Sequence, residues 1–199
     1  LNDVCNWSNT WQLDISFSKC NVMHVGNLSH NVDILLNGCV LPPADEVKDL
    51  GVIVDSRLTF SAHINHIVAR ASMRANLIHK CFVSRDTATL LRAFIVYVRP
   101  LLEYASCVWS PHHINQISKL ESVQRKFTKR LAGLGSVDYR GRLSRLELNS
   151  LELRRIRQDL VYTYKIVFGL VDDACSGLFT LIQFPAYALV VTPISCFHV

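Results

Sequence analysis

At Asp55 the hydrophobic pattern of this chain changes period, and that switch limits what it can fold into. Before Asp55 apolar residues come in short runs broken by turn residues; after it they recur at about 3.6 residues. Upstream, Trp11–Phe17 alternates loosely and Asn21–Val25 forms a second short run ending at Gly26-Asn27. Val32–Leu36 is a third, and Asn37-Gly38 after it is the pair that fits a two-residue hairpin turn, with Cys39–Leu41 returning to Pro42-Pro43. Val47–Val54 reads as a further strand interrupted by Gly51. Downstream, Ile64, Ile67, Val68, Ala71, Ala75 and Ile78 line one face of a helix. The two periods together predict an α+β chain: a small antiparallel sheet followed by mostly helical structure.

Punctuation divides the helical part. Asp86 is placed to cap a helix through Leu90, Leu91, Phe94, Ile95 and Val98, which Pro100 should kink or end because it lacks an N–H and clashes with the preceding turn. Leu101–Trp109 can resume a helix. A longer helix is expected over 112–134. At about 100° per residue, Ile117, Leu120, Val123, Phe127, Leu131 and Leu134 fall within a sector of roughly 120°. Lys119, Arg125, Lys126, Lys129 and Arg130 fall on the other side. Asn149 with Glu152 resembles a capping box for a last helix, Leu151–Phe168.

Charge follows the same division. Residues 1–118 carry nine Lys/Arg and nine Asp/Glu, whereas 119–157 carry eleven basic and four acidic residues. The whole excess of the +5 chain therefore lies in one stretch, as expected for a partner that is a polyanion. Seven scattered cysteines, with no C-x-x-C pair, point to reduced thiols in a nuclear or cytoplasmic protein rather than a disulfide framework. From Leu178 to Val199 there is no Lys, Arg, Asp or Glu. That length approaches a membrane span, but Pro185 and Pro193 interrupt it and no basic flank anchors it, so an apolar tail without membrane insertion is expected.

Other chemistries fit poorly. His63 and His79 on one continuous helix stand about 24 Å apart along its axis, too far to share an ion with His66 or Cys81. Asp172-Asp173 superficially resembles the aspartate pair of polymerases, yet it follows a long helix rather than sitting on a hairpin beside a third carboxylate. A solvated helix end is the expected reading. No phosphate-binding glycine loop or nucleophile elbow is present.

Five segments, taken in order, resemble the end of the reverse transcriptases of non-LTR retrotransposons of the jockey and chicken-repeat kind. Trp7, Trp11-Gln12-Leu13, Ser18-Lys19-Cys20 and Met23-His24-Val25-Gly26 look like the palm just after the catalytic turn. Lys48–Asp55 with Leu58-Thr59-Phe60 and His63-Ile64 is similar to the primer-grip hairpin and its exit. Val98–Ala105 with Val108–Pro111 resembles a thumb segment, and Leu120–Leu131 the helix after it. Tyr139, Arg142-Leu143, Leu151-Glu152, Arg154-Arg155, Asp159-Leu160, Tyr164-Lys165-Ile166 and Gly169 form the last match. The resemblance covers about residues 7–179; Leu181–Val199 matches nothing in the family.

The resemblance implies four regions: a palm remnant over 1–55, a helical thumb over 56–110, a basic extension over 111–179 and an unmatched tail over 180–199. It implies a parent enzyme that polymerises DNA on RNA with magnesium ions. The family's fingers and its magnesium-binding aspartates lie upstream of the matched segments, and the chain opens at Leu1 rather than Met. We therefore expect a catalytically incomplete fragment with no cofactor of its own, whose partners are the RNA or RNA–DNA hybrid backbone and the upstream fingers and palm of the same polyprotein. Lys19 falls where such polymerases place a lysine beside the incoming nucleotide; an exposed lysine at a strand end is its plain alternative. Leu50 and Gly51 fall where the hairpin backbone approaches the primer, and a simple bulge is theirs. Lys119, Arg125, Lys126, Lys129 and Arg130 would face template or hybrid phosphates. Two rivals stand beside this reading: a domesticated nucleic-acid-binding protein, and a helical module that binds an acidic protein.

Overall fold

A computed structural model of the chain describes residues 1–26, 33–171, 179–183 and 189–193, the last two ranges as backbone strands. The Asp172-Asp173 pair and the Val32 end of the third short run lie outside the described residues. The architecture is α+β. The strands pair as three separate antiparallel hairpins rather than as one small sheet.

The first region departs most from expectation. Residues Asn2–Trp11, where no element was expected, form a helix, α1, and the run Trp11–Phe17, expected as a strand, ends instead in a single 3-10 turn, Phe17–Lys19. Cys5 and Ser8, three apart, turn inward, and the chain leaves the helix through Gln12 in the left-handed conformation (φ 53°). Loose alternation from Trp11 onward therefore began at a helix end and carried no strand. The run at Asn21–Val25 contributes one isolated bridge, between Val22 and Pro43. Hairpin β1 (Leu35–Leu36) and β2 (Cys39–Val40) does turn at Asn37-Gly38, both at positive φ. Cys5, Leu36 and Leu41 make a small apolar cluster under this region.

The expected interrupted strand is a second hairpin, β3 (Glu46–Asp49) and β4 (Val52–Asp55). Leu50 and Gly51 are its turn, at φ 44° and 90°, the conformation a two-residue hairpin demands. Asp55 then redirects the chain. Its carboxylate accepts from the backbone N–H groups of Arg57, Thr59 and Phe60 and from the Thr59 hydroxyl. Partial burial pushes its pKa up, but these hydrogen bonds outweigh that and hold it below the usual carboxylate range.

Helix α2 (Ser61–Cys81) follows and buries Ile64, Ile67, Ala71, Ala75 and Ile78, the face its period predicts. Asp86 caps α3 (Thr87–Tyr97) by accepting from the Thr89 N–H at 2.8 Å. The helix stops before Pro100, which sits in the first turn of α4 (Arg99–Glu103), where its missing N–H costs nothing. A left-handed Ala105 separates α4 from α5 (Ser106–Trp109). The long helix α6 spans Ile114–Lys129, shorter than the expected 112–134. The Thr128 hydroxyl bonds back to the carbonyls of Gln124 and Arg125, and the chain tightens into turns that still bury Leu131 and Leu134. A short α7 (Tyr139–Arg145) leads to α8 (Leu151–Val167), capped by Ser150 rather than Asn149.

One apolar core joins these helices, running from Val52 through α2 and α3 to Trp109, Leu120, Phe127, Leu134 and Leu151. Phe94 stacks on Phe127 at 4.6 Å. Beyond α8, β5 (Phe179–Gln183) pairs with β6 (Leu189–Pro193) inside the tail, where no element was expected. No helix among the described residues is long and apolar enough to cross a membrane.

Candidate nucleic-acid interface

Helix α6 places its charged residues as its period requires. Leu120, Val123 and Phe127 are buried, whereas Lys119, Arg125, Lys126, Lys129 and Arg130 are all exposed. They form two rows. Lys119, Lys126 and Arg130, spaced i, i+7 and i+11, lie alongside α2. There the Lys119 ammonium donates to Asn65 Oδ1 at 3.0 Å and Arg130 donates to Asn76 Oδ1 at 2.7 Å. Arg125 and Lys129 form the second row, with the Arg125 guanidinium 5.0 Å from the centre of the Tyr139 ring. Among the described residues Lys126 and Lys129 make no side-chain hydrogen bond or ion pair.

The basic stretch 119–157 does not all face water. Arg142 and Arg155 are buried. Arg142 donates to the Thr128 hydroxyl and to the carbonyls of Val137 and Arg125. Arg154 holds Glu103 through its Nε–H and one terminal amino group, one to each carboxylate oxygen. Burial lowers the pKa of Arg155, partly offset by Glu121, Glu152, Glu103 and Asp159. The exposed cations of the stretch are thus the five on and just after α6, with Arg140, Arg145 and Arg157 beyond them.

The far side of α6 carries a polar network that the sequence reading missed. Glu121, Gln124 and Thr128 are all buried there. Glu121 accepts from the Tyr139 hydroxyl and from the Leu151 N–H at the start of α8. Gln124 donates to Tyr139 and to the Asn149 carbonyl. Burial, then the Glu121 hydrogen bond, push the Tyr139 pKa up. The spacing i, i+3, i+7 was the available signal, since it puts all three on one stripe of the helix.

The hairpin tip is presented differently. Leu50 is 84 % exposed, and its carbonyl accepts from the Tyr104 hydroxyl at 3.0 Å. A Cβ on Gly51 would meet the Tyr104 ring at 3.7 Å. Both residues are turn positions, not a bulge. Lys19 is exposed and ends a 3-10 turn rather than a strand.

His63 and His79 are core residues. His63 Nδ1 accepts from the Ile53 N–H at 3.2 Å, and its ring lies 5.3 Å from that of Trp109. The His79 ring lies 4.5 Å from Phe127. Burial, reinforced by His66 beside His63 and by Arg130 and Arg85 near His79, lowers both pKa values and keeps the rings neutral. Among the described residues no three His, Cys, Asp or Glu side chains gather as a metal site would need.

The chain is similar to parts of known proteins. It is 28% identical over 137 residues to the RNA-directed DNA polymerase of the mobile element jockey from Drosophila funebris, covering 67% of this chain. It is 24% identical over 131 residues to a probable RNA-directed DNA polymerase of the transposon X-element from Drosophila melanogaster, covering 64% of this chain. An uncharacterized protein of Caenorhabditis elegans is 27% identical over 128 residues, 63% of this chain and 65% of its own length. The match spans only 15% of the jockey polymerase and 14% of the X-element one. No family model matches the chain, and no solved structure does. These likenesses relate a region of this chain to retrotransposon RNA-directed DNA polymerases.

Proposed function

We propose that this chain holds the template–primer in a retrotransposon reverse transcriptase and is by itself catalytically incomplete. The observation that carries the proposal is the set of five exposed cations on and beside α6, two of them without a partner among the described residues, on a chain similar to part of such polymerases. Four carboxylates of the helical body and its entry are engaged by the protein itself. Asp55 and Asp86 cap backbone, Glu103 pairs with Arg154, and Glu121 holds Tyr139 and α8. None of these is free to hold a magnesium ion. In this proposal, metal-assisted phosphoryl transfer comes from fingers and palm supplied elsewhere in the same polyprotein. Contacts from Lys and Arg to phosphates give affinity without reading sequence. At the hairpin tip, the exposed Leu50 and the side-chain-free Gly51 are our candidates for approach to the primer backbone.

Fluorescence anisotropy with an RNA–DNA hybrid tests this. If the five cations each neutralise one phosphate, log K falls with log salt at a slope of about −3 to −5. The double variant Lys126→Glu with Arg130→Glu should weaken binding to all sequences alike and flatten the slope by roughly two. Affinity that ignores salt, or survives the double reversal, overturns the proposal. A second reading, a helical protein-interaction module, is favoured by one observation: Leu153, Ile156, Leu160 and Tyr164 form a row on α8, each at least half exposed.

A further inference from the structure

Helices α2 and α6 lie side by side and run in the same direction, and three facing positions repeat along their seam. Asn65 meets Lys119, and eleven residues later Asn76 meets Arg130, each pair 54 residues apart in sequence. Ser72 and Lys126 stand at the same offset between them and make no hydrogen bond to each other. At 1.5 Å per residue this open rung lies about 10 Å beyond the first pair and about 6 Å before the last. It opens on a hollow of about 120 Å³, with Ala75, Val123 and Phe127 as an apolar floor and Ser72, Asn76, Lys126 and Arg130 as its rim.

The rim is built of donors. Lysine and arginine have no acceptor, so the amide atom that each asparagine turns toward its cation is the oxygen. The Asn76 amide NH2 is thereby left to donate elsewhere, beside the Ser72 hydroxyl and the unpaired Lys126 ammonium. No acid opposes them: α2 has no Asp or Glu in 21 residues, and the one acid of α6, Glu121, is buried on the far side. A phosphate group supplies several acceptor oxygens and a negative charge, which is what this rim lacks. The low-dielectric floor strengthens that attraction relative to open water.

We infer that the Ser72–Lys126 rung is a phosphate site for the strand held at α6, so that α2 supplies half of the interface. The inference rests on the nucleic-acid reading above and adds to it a helix whose charge is invisible in the chain's balance.

The test compares two single carboxylates on α2 in the full chain, with anisotropy on the same RNA–DNA hybrid. Ser72→Asp, facing Lys126, should lower affinity roughly tenfold and flatten the salt slope by about one. Met73→Asp makes the same charge change one residue away, on an exposed position that lines a different hollow, and should lower it less than twofold. Ser72→Lys should tighten binding, a gain that misfolding cannot produce. Equal losses in the two aspartate variants would mean general electrostatics and overturn the site. So would an unchanged affinity in Ser72→Asp while Lys126→Glu with Arg130→Glu abolishes binding, a result that leaves the α6 reading standing. If millimolar inorganic phosphate binds at this rung but Ser72→Asp leaves the hybrid affinity unchanged, the site takes a free anion and the inference about a strand is overturned. Loss of all hybrid binding in the unmodified chain removes both readings together.

Discussion

The two sides of α6 carry polar residues for opposite purposes. Toward α2 and solvent, Lys126 and Lys129 have no partner among the described residues, and Lys119 and Arg130 lean on single asparagines. Toward α7 and α8, Glu121, Gln124 and Thr128 are buried and tied to Tyr139, Arg142 and the start of α8. Both sides contribute to the same basic stretch of sequence. The difference teaches that a local charge excess measures an interface only after the structural arginines are removed from it, because a buried guanidinium whose N–H groups are held by carbonyls and a hydroxyl cannot donate to a ligand.

The largest expected effect lies on the buried side. Arg142→Ala strips Thr128 and two carbonyls of their donor, and each buried acceptor left unsatisfied costs about 1–3 kcal/mol. For a chain of this size the combined loss is a fall in melting temperature on the order of 10 °C. Arg125→Ala, on the exposed side, should cost under about 1 kcal/mol. Similar melting temperatures for the two variants would erase the distinction.

A smaller effect is expected from the histidines beneath the exposed side. His63 and His79 have folded pKa values below the unfolded value near 6.5. The unfolded chain therefore binds more protons in acid, and stability rises with pH through that window. The contribution is fully present above about pH 7 and is lost as pH falls through the lowered folded values. Thermal melts between pH 7.5 and pH 5.0 should show a decline of several degrees, lessened in His79→Gln. A flat profile would mean that the two rings are not held neutral.

Least affected should be the seam itself. Asn65→Ala and Asn76→Ala each remove one exposed hydrogen bond, and stability should change by no more than about 0.5 kcal/mol. A loss of 2 kcal/mol in urea titration would make the seam a structural joint and sharpen the comparison against a ligand role.

Much of the helical body was legible in the sequence. The inward face of α2 follows from Ile64, Ile67, Ala71, Ala75 and Ile78 at helical spacing, and the cap at Asp86 and the break before Pro100 are local chemistry. The exposed cations of α6 were legible for the same reason. The first 26 residues were not. Trp7 and Trp11 stay largely exposed in α1, so no buried apolar stripe announced that helix. Gly51 was read as an interruption because a two-residue turn with Leu50 at its first position lacks the Asn or Asp that usually marks one. Glu121, Gln124 and Thr128 hid among the charges around them, since a polar residue on a helix is expected to face water unless partners are known.

The sequence by itself determined the period switch at Asp55, the apolar faces of α2 and α6, the Asn37-Gly38 turn and the helix stop before Pro100, because each depends on residues a few positions apart in the chain. The tertiary structure alone decided which cations are free. Arg142 and Lys126 look alike in sequence, and their fates differ because one finds carbonyls and a hydroxyl within reach while the other finds only an open seam. It alone decided, too, that Ser72 faces Lys126, because that register is set by packing two helices 54 residues apart, a distance no local pattern spans.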